Sequence, residues 1–318
     1  MLKNVPGFLE KYRDRTLGEV FADNRWVSIY DESLKWLDLP SEDFLKYAEN
    51  KPRFAFDGVP DDPNTYRNSP TFLMLQAHRV WVTLETIDRH LSRSAESVML
   101  DLGAYPFTLD FAVRNYLRRD CRIVSTINQV MQPEWEEPLR QNRIETLPVN
   151  LDPLVRPTTP IDGMTDYVPL PDSSVDFVLF SHVIEHLYQP FSIIREGFRV
   201  LKKGGRMLIS TDNAFLIGGF LNYLTDGTYL HEPVESTAAM VFTEWRGHVR
   251  FYSEADIRIM VEKAGLTVIE SSFYEILYNS VLENYFVDPA VRIPQWRVDL
   301  LTDNPALRNE VILVAEKR

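Results

Sequence analysis

The amino-acid sequence predicts an α/β fold with a doubly wound, mostly parallel sheet. Apolar runs that are typical of buried parallel strands alternate, from about residue 97 onward, with stretches of helical period. Gly103 directly follows the first such run, Val98–Leu102, and allows a sharp turn from strand into helix. A third observation is the strongly apolar run Val175–Ser181, which is followed by a helical pattern that ends in Lys202-Lys203-Gly204-Gly205. Alternation at this spacing is expected of a parallel sheet covered by helices.

The individual elements follow from local patterns along the chain. Helices are predicted at about 70–91, 107–118, 190–201 and 254–264, with a short mixed segment at 131–142. Strands are predicted at about 97–102, 121–126, 144–151, 175–181, 206–211, 266–271 and 311–315. For one helix the ends are also predicted: Ser253 caps it together with Asp256, and Gly265 ends it.

Three segments do not follow the alternation. Residues 1–92 are predicted to be an N-terminal helical cap or extension, with a loop rich in proline and aspartate at 50–68. Residues 93–318 then form the main domain, which carries two long insertions at 213–249 and 273–309. The aromatic residues of these insertions are predicted to line a substrate pocket or to form a core beneath the loops.

Composition excludes several classes of function. The formal net charge of -12 and the pI of about 5.1 argue against a nonspecific nucleic-acid-binding protein, which needs a basic surface. No apolar run approaches the length of a membrane span, and the first residues lack the apolar segment of a secretory signal. The single cysteine, Cys121, excludes an internal disulfide and a thiolate zinc cluster. We therefore expect a cytoplasmic protein without nucleic-acid or membrane partners, either a monomer or a homo-oligomer.

Three blocks in a fixed order carry a resemblance to a known family. They are Val168–Leu187 with its continuation to Arg206, Gly247–Ser253, and Ala264–Leu266. In this order the chain resembles the class I S-adenosylmethionine-dependent methyltransferases over about residues 95–212 and 248–316. The resemblance implies a Rossmann-like, seven-stranded, mostly parallel sheet that binds S-adenosylmethionine at the carboxyl ends of its strands.

The resemblance also implies where the methyl donor binds. Gly103 and Ala104 place their backbone against its methionine part, and Tyr105 contacts the same end, contacts the substrate, or only packs. Asp101 ends the first strand, where its carboxylate either accepts hydrogen bonds from the donor or ties down the loop. Thr126 or Asn128 follows the second strand and can bond a ribose hydroxyl.

The remaining donor contacts are expected after the third and fourth strands. Asp152 follows the third strand, where the family recognises adenine, and Met164, Thr165 and Asp166 compete for that role. Ser181 and His182 end the fourth strand, beside the sulfur of the donor, and His182 is expected to face the active site.

Two departures from the family pattern concern the loops after the first and second strands. The family has glycine at three alternate positions, which here hold Gly103, Tyr105 and Phe107. It also has an acidic residue after the second strand, where this chain has Ser125–Gln129, whose hydroxyl and amide groups bind a ribose less strongly than a carboxylate. These departures favour an alternative function, a methyltransferase fold that has lost catalysis and acts as a binding or regulatory protein.

Histidines are the candidates for a catalytic base because they accept a proton near neutral pH. They are His182, His186, His231 and His248, of which His186 belongs to a Glu-His pair that is often structural in the family. A metal site formed by Asp212, His231 and Glu232 lacks a diagnostic spacing, and no metal is predicted.

The sequence therefore predicts a methyltransferase that acts on a small-molecule acceptor. The extension and the two insertions cap the crevice, and the acceptor is expected to be a hydroxyl of a sugar or natural product. A nicotinamide-dependent reductase is the third hypothesis, and it predicts a fuller Gly-x-Gly-x-x-Gly loop than this chain has.

Overall fold

The computed structural model describes residues 7, 10–49, 76–131, 133–155, 161–219, 248–277 and 292–318. Nine strands lie in this part of the chain, and we number them in chain order. They are β1 (Trp26–Ser28), β2 (Val98–Asp101), β3 (Arg122–Ile127), β4 (Ile144–Pro148), β5 (Val175–Ser181), β6 (Leu201–Asp212), β7 (Leu266–Tyr274), β8 (Arg292–Pro294) and β9 (Glu310–Lys317).

Helices separate most of these strands. They are α1 (Leu17–Phe21), α2 (Glu42–Glu49), α3 (Ala77–His90), α4 (Thr108–Asn115), α5 (Glu136–Gln141), α6 (Pro190–Val200), α7 (Glu254–Lys263) and α8 (Gln295–Asp303). Short 3₁₀ turns add to them at Glu32–Leu37, Pro133–Trp135, Ile184–His186 and Pro305–Leu307.

Seven strands form one sheet in the order β4-β3-β2-β5-β6-β9-β7. The pairs among β4, β3, β2, β5 and β6 are parallel, whereas β9 runs antiparallel to both β6 and β7. From β2 the chain builds outward on one side through β3 and β4, and it then returns to β5 on the other side. The crevice outside the carboxyl ends of β2 and β5 is therefore the switch point at which such sheets bind ligands. The predicted doubly wound, mostly parallel, seven-stranded sheet is confirmed.

Each face of the sheet is covered by its own hydrophobic core. Neighbouring residues of one strand point to opposite faces, so that Met99 lies in one core and Leu100 in the other. The first core includes α3 and α4, and the second includes α6 and α7. The long apolar run of β5 reflects this double burial, since Phe177 and Val178 are both fully buried on opposite faces.

Several predicted boundaries agree with the structure. β5 has the predicted limits, and α7 begins after Ser253, whose hydroxyl accepts the Asp256 N–H while the Asp256 carboxylate accepts the Ser253 N–H. Gly265 follows this helix with a φ of +101°, in the left-handed region. The predicted helix 70–91 is α3 from Ala77 onward, and its first residues lie outside the described part.

The predicted end of the helix at 190–201 was wrong in one respect. Residues 202–205 are not a loop after the helix, because β6 begins at Leu201, directly after α6. Gly204 does take the left-handed conformation, with a φ of +77°, at the place where the register shifts between Val175 and Phe177 of β5. The glycine therefore serves an irregular start of the strand rather than the helix exit.

The N-terminal extension and the second insertion are joined by a small sheet that the sequence did not predict. β1 and β8 pair antiparallel, with Val27 opposite Ile293. Trp296 of α8 is buried beside Tyr12 and Val20 of the extension, so this aromatic residue belongs to a core. Within the described residues, no helix is both long and apolar enough to cross a bilayer. The domain boundary at residue 92 and the cytoplasmic location remain predictions.

Candidate functional site

The carboxyl end of β2 leads into a turn that the end of β3 holds in place. Gly103 has a φ of +79°, and its N–H donates to Thr126 Oγ1 over 2.7 Å. The Ala104 N–H donates to the Thr126 carbonyl oxygen over 3.1 Å. A Cβ on Gly103 would lie 2.7 Å from Val183 Cγ2, so glycine is required here for its space as well as for its φ. The Thr126 hydroxyl, predicted to bond the donor, is thus engaged with the turn.

The bulky residues that replace the family's glycines pack against each other. Phe107 has a φ of +65° and is fully buried, and its ring centroid lies 5.4 Å from that of Trp135. The half-buried Tyr105 ring lies 5.9 Å from Phe107 and 5.8 Å from Trp135. The loop therefore follows a path that places Phe107 in the core rather than in the crevice.

Beneath the turn, Asp101 and Asp110 form a buried pair of carboxyl groups. Burial, strengthened by the neighbouring Asp110, raises the pKa of Asp101 well above its usual range. Burial also raises the pKa of Asp110 to about 7, although a hydrogen bond of 2.5 Å from the Ser125 hydroxyl to Oδ2 opposes this rise. The pair therefore retains a proton near neutral pH. This position favours the interpretation in which Asp101 ties down the loop.

The residues predicted to contact adenine lie at one edge of the sheet. They are Asp152 and, as the alternative, Met164, Thr165 and Asp166. The proline-rich loop returns to β4, where Asn150 N–H donates to the Thr165 carbonyl oxygen over 2.8 Å. The Asn150 side chain donates to Asp166 Oδ1 over 3.0 Å. Asp152 is buried, and its Oδ2 accepts the Tyr188 N–H over 2.8 Å. Asn128 is half-buried just beyond β3.

The carboxyl end of β5 carries His182 in an unusual position. Its φ is +52°, and its N–H donates to the Ser210 carbonyl oxygen over 2.9 Å. Nε2 lies 2.7 Å from Glu310 Oε1, and Nδ1 lies 3.2 Å from Glu185 Oε1. Next to it, the hydroxyls of Ser181 and Ser210 are 2.7 Å apart. The imidazole of His182 thus bridges two buried carboxylates.

The charges of this bridge are set by its geometry. Burial and Arg79 lower the pKa of His182, but Glu310 and Glu185 outweigh them and raise it to about 9. Burial likewise opposes ionisation of Glu185, whereas the hydrogen bond and the charge of His182 lower its pKa to about 2. A histidine that is already protonated near neutral pH does not act as a base, so this position disfavours the base role predicted for His182.

Further histidines and acids continue from this bridge. His186 Nε2 lies 4.0 Å from Glu185 Oε1, and the rings of His186 and His248 are 4.9 Å apart. His248 Nδ1 lies 3.6 Å from Asp212 Oδ2. We call the whole group the acceptor-edge cluster; it consists of His182, Glu185, His186, Asp212, His248 and Glu310. His231 and Glu232 lie outside the described residues.

Sequence analysis missed Glu310 as a member of the site. It is fully buried at the start of β9, 128 positions away from His182 in the chain. A glutamate at the head of an otherwise apolar strand is the one local signal, because carboxylates are rarely buried without a partner. Glu185 belongs to the Glu-His pair that the sequence indicates, and in the structure it connects His182 with His186.

Comparisons with known proteins agree with this architecture. A family model described as "Methyltransferase domain" matches residues 72–271. A probable S-adenosylmethionine-dependent methyltransferase of Mycolicibacterium smegmatis is 28% identical over 152 residues, or 45% of this chain and 52% of the relative. One from Mycobacterium tuberculosis is 33% identical over 97 residues, or 29% of this chain and 30% of the relative. The chain thus matches about half, or less, of the length of these relatives.

Solved structures are similar at low sequence identity. Geranyl diphosphate C-methyltransferase from Streptomyces coelicolor is 12% identical, with a TM-score of 0.48 over 87% of this chain and 97% of that one. A possible histamine N-methyltransferase from Thermotoga maritima is 18% identical, with a TM-score of 0.46 over 78% of this chain and 93% of that one.

Proposed function

Because the chain belongs to the class I S-adenosylmethionine-dependent methyltransferase family, we propose that it methylates a hydroxyl group of a small molecule, such as a sugar or natural product. One observation carries the proposal. The Gly103 turn is fastened to the end of β3 at the switch point of the sheet, and a charged cluster lies beside it at the ends of β5 and β6. One side of the crevice is thus suited to the donor and the other to an acceptor.

The residues at the crevice are compatible with S-adenosylmethionine. Gly103 has no side chain and is held in a left-handed turn by Thr126, so the donor can approach the backbone of Gly103 and Ala104 from the crevice. Asn128 offers an amide at the end of β3, and Asp152 with Asp166 supplies acceptors at the edge of β4. When bound, the donor supplies an electrophilic methyl group on a positively charged sulfur. The protein's task is to hold an acceptor oxygen in line with that methyl group and to exclude water.

The acceptor-edge cluster is the part of the site that handles the acceptor in this proposal. His182 is held between two carboxylates and contributes a fixed positive charge. His186 and His248 lie beside each other, each with a carboxylate near it. The proton of the acceptor hydroxyl therefore leaves either through these two rings or through a group that they bind. A His231→Ala variant that keeps full turnover would remove the base role predicted for His231.

Calorimetric titration of the full-length chain tests the donor side. We expect S-adenosylmethionine and S-adenosylhomocysteine each to bind with micromolar affinity and one-to-one stoichiometry. A panel of sugars and natural products with free hydroxyls, incubated with methyl-labelled donor, then tests the acceptor class. Labelled product that is formed only from amines or carbon acceptors would overturn the choice of oxygen.

The second candidate function is a binding or regulatory protein without catalysis. Tyr105 and Phe107 favour it, because they occupy positions at which the family has glycine. It predicts that the chain binds neither donor form at millimolar concentration, or that it binds both and forms no labelled product with any acceptor. The proposed transfer predicts labelled product together with donor binding.

A further inference from the structure

We propose that Glu185, His186 and His248 form a binding site for one divalent transition-metal ion of the zinc type. One ligand atom from each residue lies within 4.8 Å of the others. Two imidazoles and one carboxylate are a donor set that zinc and neighbouring metals prefer, and it leaves a coordination position open. The sequence predicts no metal here, because the three residues come from two separate parts of the chain.

The spacing distinguishes this set from its neighbour. In a tetrahedral site, metal–ligand bonds of about 2.0–2.2 Å place two ligands of one ion about 3.3–3.6 Å apart. Glu185 Oε1 and His186 Nε2 are 4.0 Å apart, which is too long for a hydrogen bond and about half an ångström longer than that spacing, so a small side-chain rotation would bring both onto one ion. In the neighbouring set of His182, Asp212 and Glu310, the His182 and Glu310 atoms are already hydrogen-bonded at 2.7 Å. That pair therefore supports the site rather than forming it.

The carboxylate of Glu185 is oriented for such a role. The side chain is 1% exposed, and its Oε2 accepts a hydrogen bond of 2.9 Å from the Thr211 hydroxyl. Its Oε1 lies 3.2 Å from the His182 Nδ1 and 4.0 Å from the His186 Nε2. A carboxylate oxygen has two lone pairs, so the one that does not face His182 can bind a cation on the side of His186. Support of a ligand by a hydroxyl and a charged neighbour is typical of metal sites.

The position of the site suggests what the ion does. Glu185 and His186 lie on the 3₁₀ turn that follows β5, and Val183 just before that turn packs against Gly103 of the donor turn. An ion here would lie at the acceptor side of the crevice, where it can bind the acceptor hydroxyl and favour its ionised form. This role rests on the proposed function, whereas the binding of the metal does not.

Metal binding is measured directly on the full chain after removal of metal with a chelator. We expect calorimetry to report one Zn²⁺ per chain, and Co²⁺ to give the visible absorption of a site with nitrogen and oxygen ligands. His186→Ala and His248→Ala should each weaken Zn²⁺ binding by at least about a hundredfold, more than the tenfold to hundredfold effect of outer residues. His90→Ala is the matched control, because His90 pairs with Glu270 at 2.7 Å outside the cluster.

Thr211→Val sharpens the test because it removes only the hydrogen bond to Glu185. We expect it to weaken Zn²⁺ binding by about tenfold to a hundredfold while circular dichroism stays unchanged. The site is overturned if no Zn²⁺ binds stoichiometrically, or if the His186 and His248 variants bind it as tightly as the His90 variant.

A separate titration with S-adenosylmethionine distinguishes the two proposals. Zn²⁺ binding without donor binding would remove the proposed methyl transfer and leave the metal site intact. Donor binding and labelled product with no Zn²⁺ binding would remove the metal site and leave the transfer intact, with His186 or His248 as the base.

Discussion

The donor edge and the acceptor edge of the crevice bury acidic groups in opposite ways. At the donor edge, Asp101 and Asp110 lie together, and burial raises the pKa of both, although the charge of Arg114 opposes the rise at Asp110. At the acceptor edge, Glu185 and Glu310 are as deeply buried, but the imidazolium of His182 lies between them. One pair keeps a proton, whereas the other shares a cation that lowers the pKa of Glu185 to about 2, although burial still raises the pKa of Glu310.

The difference indicates what each edge does. At the donor edge, the backbone is fixed in a turn by hydrogen bonds from Gly103 and Ala104 to Thr126. The carboxyl groups of Asp101 and Asp110 beneath this turn retain a proton near neutral pH. The acceptor edge carries charged and titratable groups, and its histidines and carboxylates are the groups that our proposal assigns to the acceptor hydroxyl. A methyl-transfer site needs both a shaped cradle for the donor and a charged environment for the acceptor.

Removing the cation of the acceptor edge should have the largest effect on stability. His182→Asn keeps a residue that tolerates the left-handed φ of +52° but leaves two buried carboxylates without their partner. We expect a loss of about 3–5 kcal/mol in the free energy of unfolding, measured in urea at pH 7. His90→Ala, which breaks a histidine–glutamate pair nearer the surface, should cost about 1 kcal/mol or less. Equal losses would mean that His182 is not a charged bridge.

The donor edge is tested next by two glycines with nearly the same φ. Gly103→Ala and Gly204→Ala both place a side chain at a φ near +78°, with φ values of +79° and +77°. This strain costs about 1–2 kcal/mol in each. Only the Gly103 variant also meets Val183, which adds about 1–3 kcal/mol.

Calorimetric titration with S-adenosylmethionine should therefore show weaker binding for Gly103→Ala than for Gly204→Ala. The Gly204 position is a suitable control because a Cβ there meets nothing within 4 Å. Equal donor affinity in the two variants would contradict a donor site against the Gly103 turn, even if their stabilities differ as expected.

The neutral pair at the donor edge predicts a pH dependence of stability. The pKa of Asp110 is raised to about 7 in the folded chain, whereas an unfolded aspartate titrates near 3.9. Between these values the folded state keeps a proton that the unfolded state has lost, so this contribution to stability is full below about pH 4 and falls as the pH rises towards 7. In Asp110→Asn, the amide oxygen can still accept the hydrogen bond from the Ser125 hydroxyl. The variant should therefore lose less stability than the parent chain as the pH rises towards 7.

This pH dependence is measured as the free energy of unfolding in urea at pH 4 and pH 7, for the parent chain and for Asp110→Asn. We expect Asp110→Asn to be more stable than the parent chain at pH 7, by about 1–2 kcal/mol, and similar to it at pH 4. Asp172→Asn is a control at an exposed aspartate that pairs with Arg199. A parent profile that rises from pH 4 to pH 7, with no change in the variant, would mean that the pair is ionised.

Much of the fold could be predicted because its signals are contiguous in the chain. β5 and the cap of α7 are each encoded within a few residues, and the order of the blocks indicated the family, which is confirmed by the family model and the sheet. β1 and β8 were missed because strands of three residues have no detectable period. β6 was assigned a late start because Gly204 and Gly205 are typical of a helix exit.

The two edges also differ in how well they could be predicted. The donor turn lies within a single stretch from β2 to α4, and its glycine could be recognised there. The acceptor-edge cluster brings together the ends of β5 and β6, the residue His248 after the first insertion, and the head of β9. Its partners are defined by tertiary contacts such as the one between His182 and Glu310, which no local pattern of residues contains.

The smallest effect is expected at Tyr105, where the donor turn departs most from the family. Its ring packs against Phe107 and Trp135, so Tyr105→Gly removes aromatic contacts worth about 0.5–1.5 kcal/mol and frees the loop. If these lost contacts weaken donor binding to the same extent, the affinity for S-adenosylmethionine falls by about twofold to tenfold, and this is the result we expect. Tyr105→Phe keeps the ring and should bind the donor as the parent chain does. Tighter binding by the glycine variant would mean instead that the Tyr105 ring occupies space the donor needs, which would favour a fold that has lost catalysis and weaken the contrast between the two edges.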